Sequence, residues 1–563
     1  MDFIDCKTGY SFFKTIDSIW GDLTPKHTLN RICTMMRCMG VETLITDNLG
    51  KDCPEWHRFE EEKEALYLRL GGKLKKIKAI KLSFLRKSIK SKFELAKLAK
   101  QAKQGKQDPF LGYAIVVNIT GKNGVWSYIF ESVVRELGTW NESELWHRLP
   151  YHYLHVKKQF NCEVGKSPYK IMGVYFRQQN SITNVCAHAC TTMMINNASL
   201  PNGIVTAEDI NRHLNYDHVK RKFRANKDFI GKEENLPAGP GIEELKSVFK
   251  HYGYEPYPLE FNSEEEQRKF RSFLYGFVES QFPALLTFDS QEGLPDQVGH
   301  VVPVVGHTLN IHSWLPVTGS YKVGNWSDMH HSPLGWVNDL IIHDDNHGMQ
   351  FSLPAHAFKP AADPEKDKNL TPRVALGIFP VSYDLKMLGN DAESIAASAI
   401  RTIAHETQGK FFEGNYYTKR FWSSKTQALR RTTIFRPVLV KWNEYLEKFW
   451  RDRKMPMDTL QFVERIKKMN IPNVWLVEVT EPDLFVGNHA KVMDVLLNPK
   501  VKPAIQNFSK KDESFELTKE TVLLIRLPQK TIIPKPESKS GEWESISGWE
   551  VEGHFPLFCH GNE

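Results

Sequence analysis

An α+β chain is predicted, with a middle third in which helices precede sheet strands, an N-terminal α/β region (1–165) before it and a C-terminal α+β region (386–563) after it. Three observations predict this. From Cys186 onward, Cys186, Ala189, Cys190, Met193 and Met194 fall at i, i+3, i+4, i+7 and i+8, one helical stripe. Short β-branched runs bounded by turn residues then cluster between residues 283 and 381. Finally, 563 residues with 41% hydrophobic and 25% charged side chains describe an ordinary globular chain too long for one core. Length alone suggests roughly three or four domains of about 150 residues.

In the N-terminal region, helices are expected near Leu29–Met39 and Glu60–Leu70. Lys73–Lys106 holds thirteen basic residues against one acid, Glu94. Its apolar residues Ile77, Ile80, Leu82, Leu85, Ile89, Phe93, Leu95 and Leu98 recur near helical spacing, which predicts a basic amphipathic helix or helix pair. Gly112–Ile119 reads as a buried strand, and Val125–Leu137 as a helix or a strand leading into one. Polar residues near 138–146 suggest a boundary.

The middle domain, 166–385, opens with an extended segment at Tyr169–Phe176. The Cys186 helix follows, with Asn184 placed to cap it. Further helices are expected at Ala207–Leu214, Gly241–Gly253 and Ser263–Gln281. Strands are expected at Pro283–Phe288, Val298–Val305, Trp336–His343 and Ala375–Val381, with a turn at Asp344–Gly348. Beyond it, Asp391–Thr407 and Trp442–Arg451 read as helices, and Phe435–Val440, Val474–Val479 and Thr521–Leu527 as strands. Residues 533–540 read as a surface loop.

The eight cysteines form no Cys-x-x-Cys pair and no disulfide framework, so reduced thiols in a reducing, cytoplasmic setting are expected. No signal sequence and no membrane span is expected. Loop histidines (His307, His312, His330, His331, His343, His347) with Asp345 suggest a metal site. No His-x-x-x-His spacing on a helix supports one, so no metal and no cofactor is expected.

A thiol becomes a strong nucleophile when ionised, and a helix N-terminus lowers its pKa. Cys186 is predicted at such a terminus. His300, entering the apolar run Gly299–Gly306, is the candidate base. Asp344, after the apolar run Leu340–His343, is the candidate for orienting it. Gln178, Gln179 and Asn180 lie upstream as candidate amide donors to an oxyanion, with Gln179 preferred. Asp345 and Asn346 stay open as alternatives to Asp344. Cys190 reads as packing, and His188 as structural or pocket-lining.

Residues of about 171–350 resemble the papain-like cysteine peptidases, and within them the compact bacterial branch of bacteriocin-leader-processing (double-glycine) peptidases. Cys186, Ala189 and Met193 match that branch's nucleophile helix. Gly299, His300, Val301, Val302, Val304 and Gly306 match its histidine strand, and Asp344 its acid. The resemblance implies a helical part packed on an antiparallel sheet. It also implies a hydrolase that cleaves a peptide or isopeptide bond of a protein or peptide through a thioester. In the family the glutamine stands about six residues before the cysteine; here that place holds Asn180. Ala187 replaces a usual glycine, and Pro303 interrupts the histidine strand, which suggests an edge position or a bulge.

Two other functions fit the same residues: a thiol acyltransferase, and a catalytically silent papain-like module within a larger assembly. A nucleic-acid partner for Lys73–Lys106 is the weaker expectation, because no aromatic platform or known binding motif accompanies the charge.

Overall fold

A computed structural model of the chain describes residues 1–104, 108–136, 152–198, 203–218, 239–261, 270–290, 299–309, 321–322, 329–330, 332–354, 370–406 and, with breaks, 433–558. It is an α+β protein, and the strand pairings with a defined register are antiparallel. The chain divides into two compact units: Met1–Gln267 with Phe282–His307 and Leu340–Ile378, and Arg268–Gln281 with Thr308–Asp339 and Phe379–Glu563.

The first unit begins with β1 (Asp2–Asp5), α1 (Gly9–Ile19), α2 (His27–Cys38), β2 (Thr43–Asn48), α3 (Trp56–Leu70), β3 (Lys76–Leu85) and α4 (Lys92–Lys103). Next come β4 (Phe110–Thr120), β5 (Val125–Val134), β6 (His152–Leu154), β7 (Lys158–Val164) and β8 (Ser167–Phe176). One sheet runs β1-β2-β3-β4-β5-β8-β7. There follow α5 (Cys186–Asn197), α6 (Ala207–His213), α7 (Ile242–His251), β9 (Tyr254–Glu260), β10 (Ala284–Ser290), β11 (His300–Thr308), β14 (Asp339–Asp344), β15 (Gly348–Pro354) and β16 (Leu370–Pro380). A second sheet runs β15-β14-β11-β10-β16-β9, with β6 also paired to β11.

Helix α5 lies between two cores. Ala189 and Met193 pack with the core of the first sheet, while Ala187, Cys190, Met194 and Ile195 pack with residues from α6, α7, β10 and β16. The helix is therefore buried on nearly all sides rather than along one stripe, and the two asparagines that end it are hydrogen-bonded internally. Asn196 exchanges hydrogen bonds with the backbone of Val205 (2.8 and 2.8 Å), and Asn197 with that of Tyr175 (2.8 and 2.6 Å). Gly306 on β11 is required by close approach: a Cβ there would stand 2.2 Å from the Tyr153 carbonyl oxygen of the neighbouring chain segment.

The second unit contains β12 (Tyr321–Lys322) paired with β13 (Met329–His330), and helices α8 (Phe270–Glu279), α9 (Gly389–Glu406) and α10 (Trp442–Trp450). Its main strands are β17 (Ile434–Lys441), β18 (Asn473–Thr480), β20 (Met493–Leu497), β23 (Val522–Arg526), β24 (Lys530–Pro534) and β25 (Trp543–Ser547), in that sheet order. The short pairs β19 (Ala490–Lys491) with β26 (Phe555–Pro556), and β21 (Ile505–Gln506) with β22 (Ser514–Phe515), complete it. Inside, Glu478 pairs with Arg436 and Lys491, Asp494 with Lys491 and Arg526, and Glu279 with Arg436, so buried charges are matched.

Several expectations change. Residues 76–85 form an inner strand, not a basic helix. Flanking strands β2 and β4 supply hydrogen-bond partners on both edges, which outweighs the helical spacing. Lys81 of that strand is buried, 2.6 Å from Glu55 and over the Tyr113 ring. Among the described residues of the basic segment the α-helix spans 92–103, capped by Ser91. Residues 125–134 are strand throughout. The expected division at residue 165 falls in the turn of the β7–β8 hairpin, and β8 also pairs with β5, so 1–165 does not close on itself. Residues 268–281 and 308–339, expected in the middle domain, belong to the second unit, where Arg271 of α8 holds the carbonyls of Leu334 and Val337 (3.2 and 2.9 Å). Pro303 lies on an inner strand and not at an edge, between β10 and β14; the register slips beside it, between Val304 and Gly306. The polar stretch 138–146 and most of 533–540 lie outside the described residues.

Candidate active site

The loop before Cys186 is built by Asn180. Its side-chain oxygen accepts from the backbone N–H groups of Ile182 (2.9 Å), Thr183 (2.8 Å) and Asn184 (3.2 Å). Its amide nitrogen donates to Glu62 (3.0 Å) and to the Thr183 hydroxyl (2.9 Å). Glu62, on α3, also pairs with buried Arg177 and accepts from Tyr128 (2.6 Å). The turn entering α5 is thus cross-linked to α3 and to the first sheet by hydrogen bonds inside the core, where they are hardest to break.

The N-cap of α5 is Val185, in an extended conformation, and not Asn184, whose oxygen is used by the Asn180 N–H (2.9 Å). His188 completes the helix start: its Nδ1 accepts from Val185 N–H (3.3 Å), and its Nε2 donates to Asn211 (2.9 Å). His188 is therefore a neutral, structural imidazole. Cys186 is the first residue of the helix and is partly exposed. Cys190, one turn deeper, is fully buried; burial, then the charges of Cys186 and Asp345, push its thiol well above the ordinary value. Of these two sulfurs, Cys186 has both the helix terminus and the access that reactivity requires.

His300 is the first residue of β11 and Asp344 the last of β14, neighbouring antiparallel strands, so both side chains come to one end of the sheet. His300 Nε2 lies 3.3 Å from Asp344 Oδ2 and 3.7 Å from Asp345 Oδ1. It lies near both carboxylates, without good hydrogen-bond alignment to either. Burial disfavours the imidazolium, but the adjacent Asp344 carboxylate and Cys186, together with the charge of Asp345, outweigh it and push the His300 pKa up to about 11. Burial also opposes ionisation of Asp344, yet His300, the backbone N–H of Asn346 (2.8 Å) and the His347 side chain hold its pKa below the ordinary value; the His347 backbone N–H donates to it as well (3.1 Å).

The upstream amides are now distinguished. Gln178 is buried and uses its oxygen on Ile129 N–H (3.0 Å), and Asn180 is consumed by the loop. Gln179 is partly exposed, with its amide nitrogen 3.2 Å from the Asn346 side-chain oxygen, next to the Asp344 turn. His300 thus lies 3.3 Å from Asp344 and is electrostatically coupled to Cys186, while Gln179 touches the Asn346 side chain, whose backbone N–H holds Asp344.

The sequence offers Asp345 as a substitute for Asp344 or beside the loop histidines; in the structure both acids lie close to the same ring. His300, Asp344 and Asp345 also offer three ligand atoms within 4.8 Å of one another, enough to hold a divalent cation, a grouping the loop histidines had not suggested. Of those histidines, His307 and His343 are buried and His347 is exposed. Burial lowers the His343 pKa to about 3. His312 and His331 lie outside the described residues. Among the described residues, no helix is long and apolar enough to cross a membrane.

In comparisons with known proteins, no family model matches this chain and no curated protein matches its sequence.

Proposed function

We propose that the first unit is a papain-like cysteine hydrolase that cleaves a peptide or isopeptide bond of a protein substrate. The observation that carries this reading is one imidazole 3.3 Å from a carboxylate and electrostatically coupled to a helix-terminal thiol, with the three groups on elements far apart in sequence. A thiol attacks in its ionised form, the form that an imidazolium or a helix N-terminus stabilises in enzymes of this kind. With Nε2 turned toward the acids, Nδ1 is left for the sulfur.

In this reading the Cys186 thiolate attacks the substrate carbonyl carbon, and the carbonyl oxygen becomes an oxyanion. In the same reading the Cys186 backbone N–H and the Gln179 amide donate to it. As the C–N bond breaks, His300 gives its proton to the departing nitrogen, leaving a thioester and a neutral imidazole. A water then loses a proton to His300 and attacks the thioester. The C–S bond breaks, restoring the thiolate–imidazolium pair and releasing the acid. Replacing that water by an amine would give an acyltransferase with the same residues. A reducing, cytoplasmic setting belongs to the reading, since the sulfur must stay reduced, and the described cysteines are free.

The test is a cysteine-directed electrophilic probe with a fluorescent reporter. Labelling should be lost in Cys186→Ala and kept in Cys190→Ala. Equal labelling of both variants, or no labelling of the wild type beyond that of the exposed Cys38, would remove the nucleophile and leave the silent binding module as the better account.

A further inference from the structure

Asp345 is a buried acid that the reaction above does not use. Consecutive residues of a regular strand face opposite sides, so Asp344 and Asp345 would not normally approach one partner. Strand β14 ends at Asp344, however, and Asp345 begins the turn at 345–347. Both carboxylates consequently lie near His300, whose Nε2 is 3.3 Å from Asp344 Oδ2 and 3.7 Å from Asp345 Oδ1. Asp345 is only 1% exposed, and among the described residues neither of its oxygens, nor His300 Nε2, has an aligned hydrogen-bond partner. Asp344 is oriented through its other oxygen, which accepts from two backbone N–H groups and leaves Oδ2 turned to the ring.

An unpartnered carboxyl and an unpartnered imidazole nitrogen in a packed interior are costly, and a ligand that meets both accounts for them. We propose that His300 Nε2, Asp344 Oδ2 and Asp345 Oδ1 form a zinc site that switches the hydrolase off. The cluster's three ligand atoms lie within 4.8 Å of one another. Donors in a tetrahedral zinc shell, each about 2.0–2.1 Å from the ion, stand about 3.3–3.4 Å apart. Spacings of 3.3 and 3.7 Å therefore need only a small side-chain adjustment. One nitrogen with two carboxylates suits zinc, whereas calcium and magnesium favour oxygen donors throughout. The two backbone N–H groups on Asp344 are the outer partners that orient a metal-binding carboxylate.

The switch rests on the hydrolase reading; the metal site does not. Coordination releases any Nε2 proton to solvent and leaves the neutral ring with its one proton on Nδ1. Such a ring has no lone pair to take a proton from the Cys186 thiol or from the attacking water. Formation of the thiolate and hydrolysis of the thioester both stop, and removing the ion restores the base.

The test uses the full chain, stripped of metal with EDTA and titrated first with Co²⁺, a coloured stand-in, and then with Zn²⁺. Cobalt should give the visible bands of a tetrahedral ion, and zinc should abolish them. The bands should survive Cys186→Ala. In Asp345→Asn the affinity should fall at least about 10–100-fold, the loss that even an outer partner of a metal causes. In the wild type, Zn²⁺ should slow alkylation of Cys186 by iodoacetamide at least about tenfold, read on its peptide by mass spectrometry, and EDTA should reverse this. Equal metal affinity in wild type and Asp345→Asn would overturn the inference. So would loss of the bands in Cys186→Ala, which would make the sulfur a ligand. Should Asp345→Asn not fold, wild-type alkylation decides: slowing that EDTA reverses supports the inference, and a rate indifferent to Zn²⁺ overturns it. A metal-free Cys186 no more reactive than free cysteine would instead defeat the hydrolase reading, with the cobalt bands still reporting on the site, so the two failures are distinguishable.

Discussion

Removing the Glu62 carboxylate tests whether the nucleophile loop depends on a charge pair contributed from α3. In Glu62→Ala, Arg177 keeps its buried charge without its partner, and Tyr128 and Asn180 each lose an acceptor. Breaking one side of a buried ion pair costs about 3–5 kcal/mol. That is a large share of the roughly 5–15 kcal/mol typical of a folded domain. Glu62→Gln retains an oxygen for Tyr128 and Asn180 and should cost less. In Glu62→Leu/Arg177→Met no unpaired charge remains. The double variant should therefore be more stable than Glu62→Ala, although Tyr128 and Asn180 still lack their acceptor at about 1–3 kcal/mol each. Urea unfolding followed by circular dichroism gives the stabilities, and Cys186 alkylation on the same samples reports the loop. The reasoning fails if Glu62→Ala costs less than about 1 kcal/mol, or if the double variant is as unstable as that single one.

Two further outcomes follow from the site. The folded-state pKa of His300 is raised from 6.5 to about 11, so its protonation stabilises the fold fully below pH 6.5, and this stabilisation is lost as pH climbs toward about 11. Urea midpoints of the wild type should therefore fall toward those of His300→Gln between pH 7 and 11, and parallel curves would contradict the shift. Gln179→Ala should lower kcat about 10²–10³-fold with KM little changed, as for loss of one oxyanion donor. A change confined to KM would instead make Gln179 a substrate-binding residue.

What a reader can take from the residue order concerns short range. The helix opening at Cys186, the strand entered by His300 and the acid closing the next apolar run are all local patterns, and the corresponding elements lie where those patterns point. Asn180 illustrates the limit. Its distance from the cysteine suits an oxyanion donor, yet its side chain is committed to Glu62 and to three backbone N–H groups, and Gln179 is left available. The basic run 73–106 failed for a related reason: Lys81 carries no local sign that it will sit inside a sheet against Glu55.

Amino-acid order alone thus determined the α+β class, the helix terminus that bears the thiol, and the position of an acid at the end of the apolar run before residue 345. Tertiary structure decided the inner-strand fate of residues 76–85, the division of the chain into units, the choice among the upstream amides, and the presence of two carboxylates at one ring. The physical reason is that periodicity and capping are set by neighbours within a few residues. Burial of a charge and the direction of a side chain at a strand end depend on partners supplied by distant segments, as Glu62 is for the loop before Cys186.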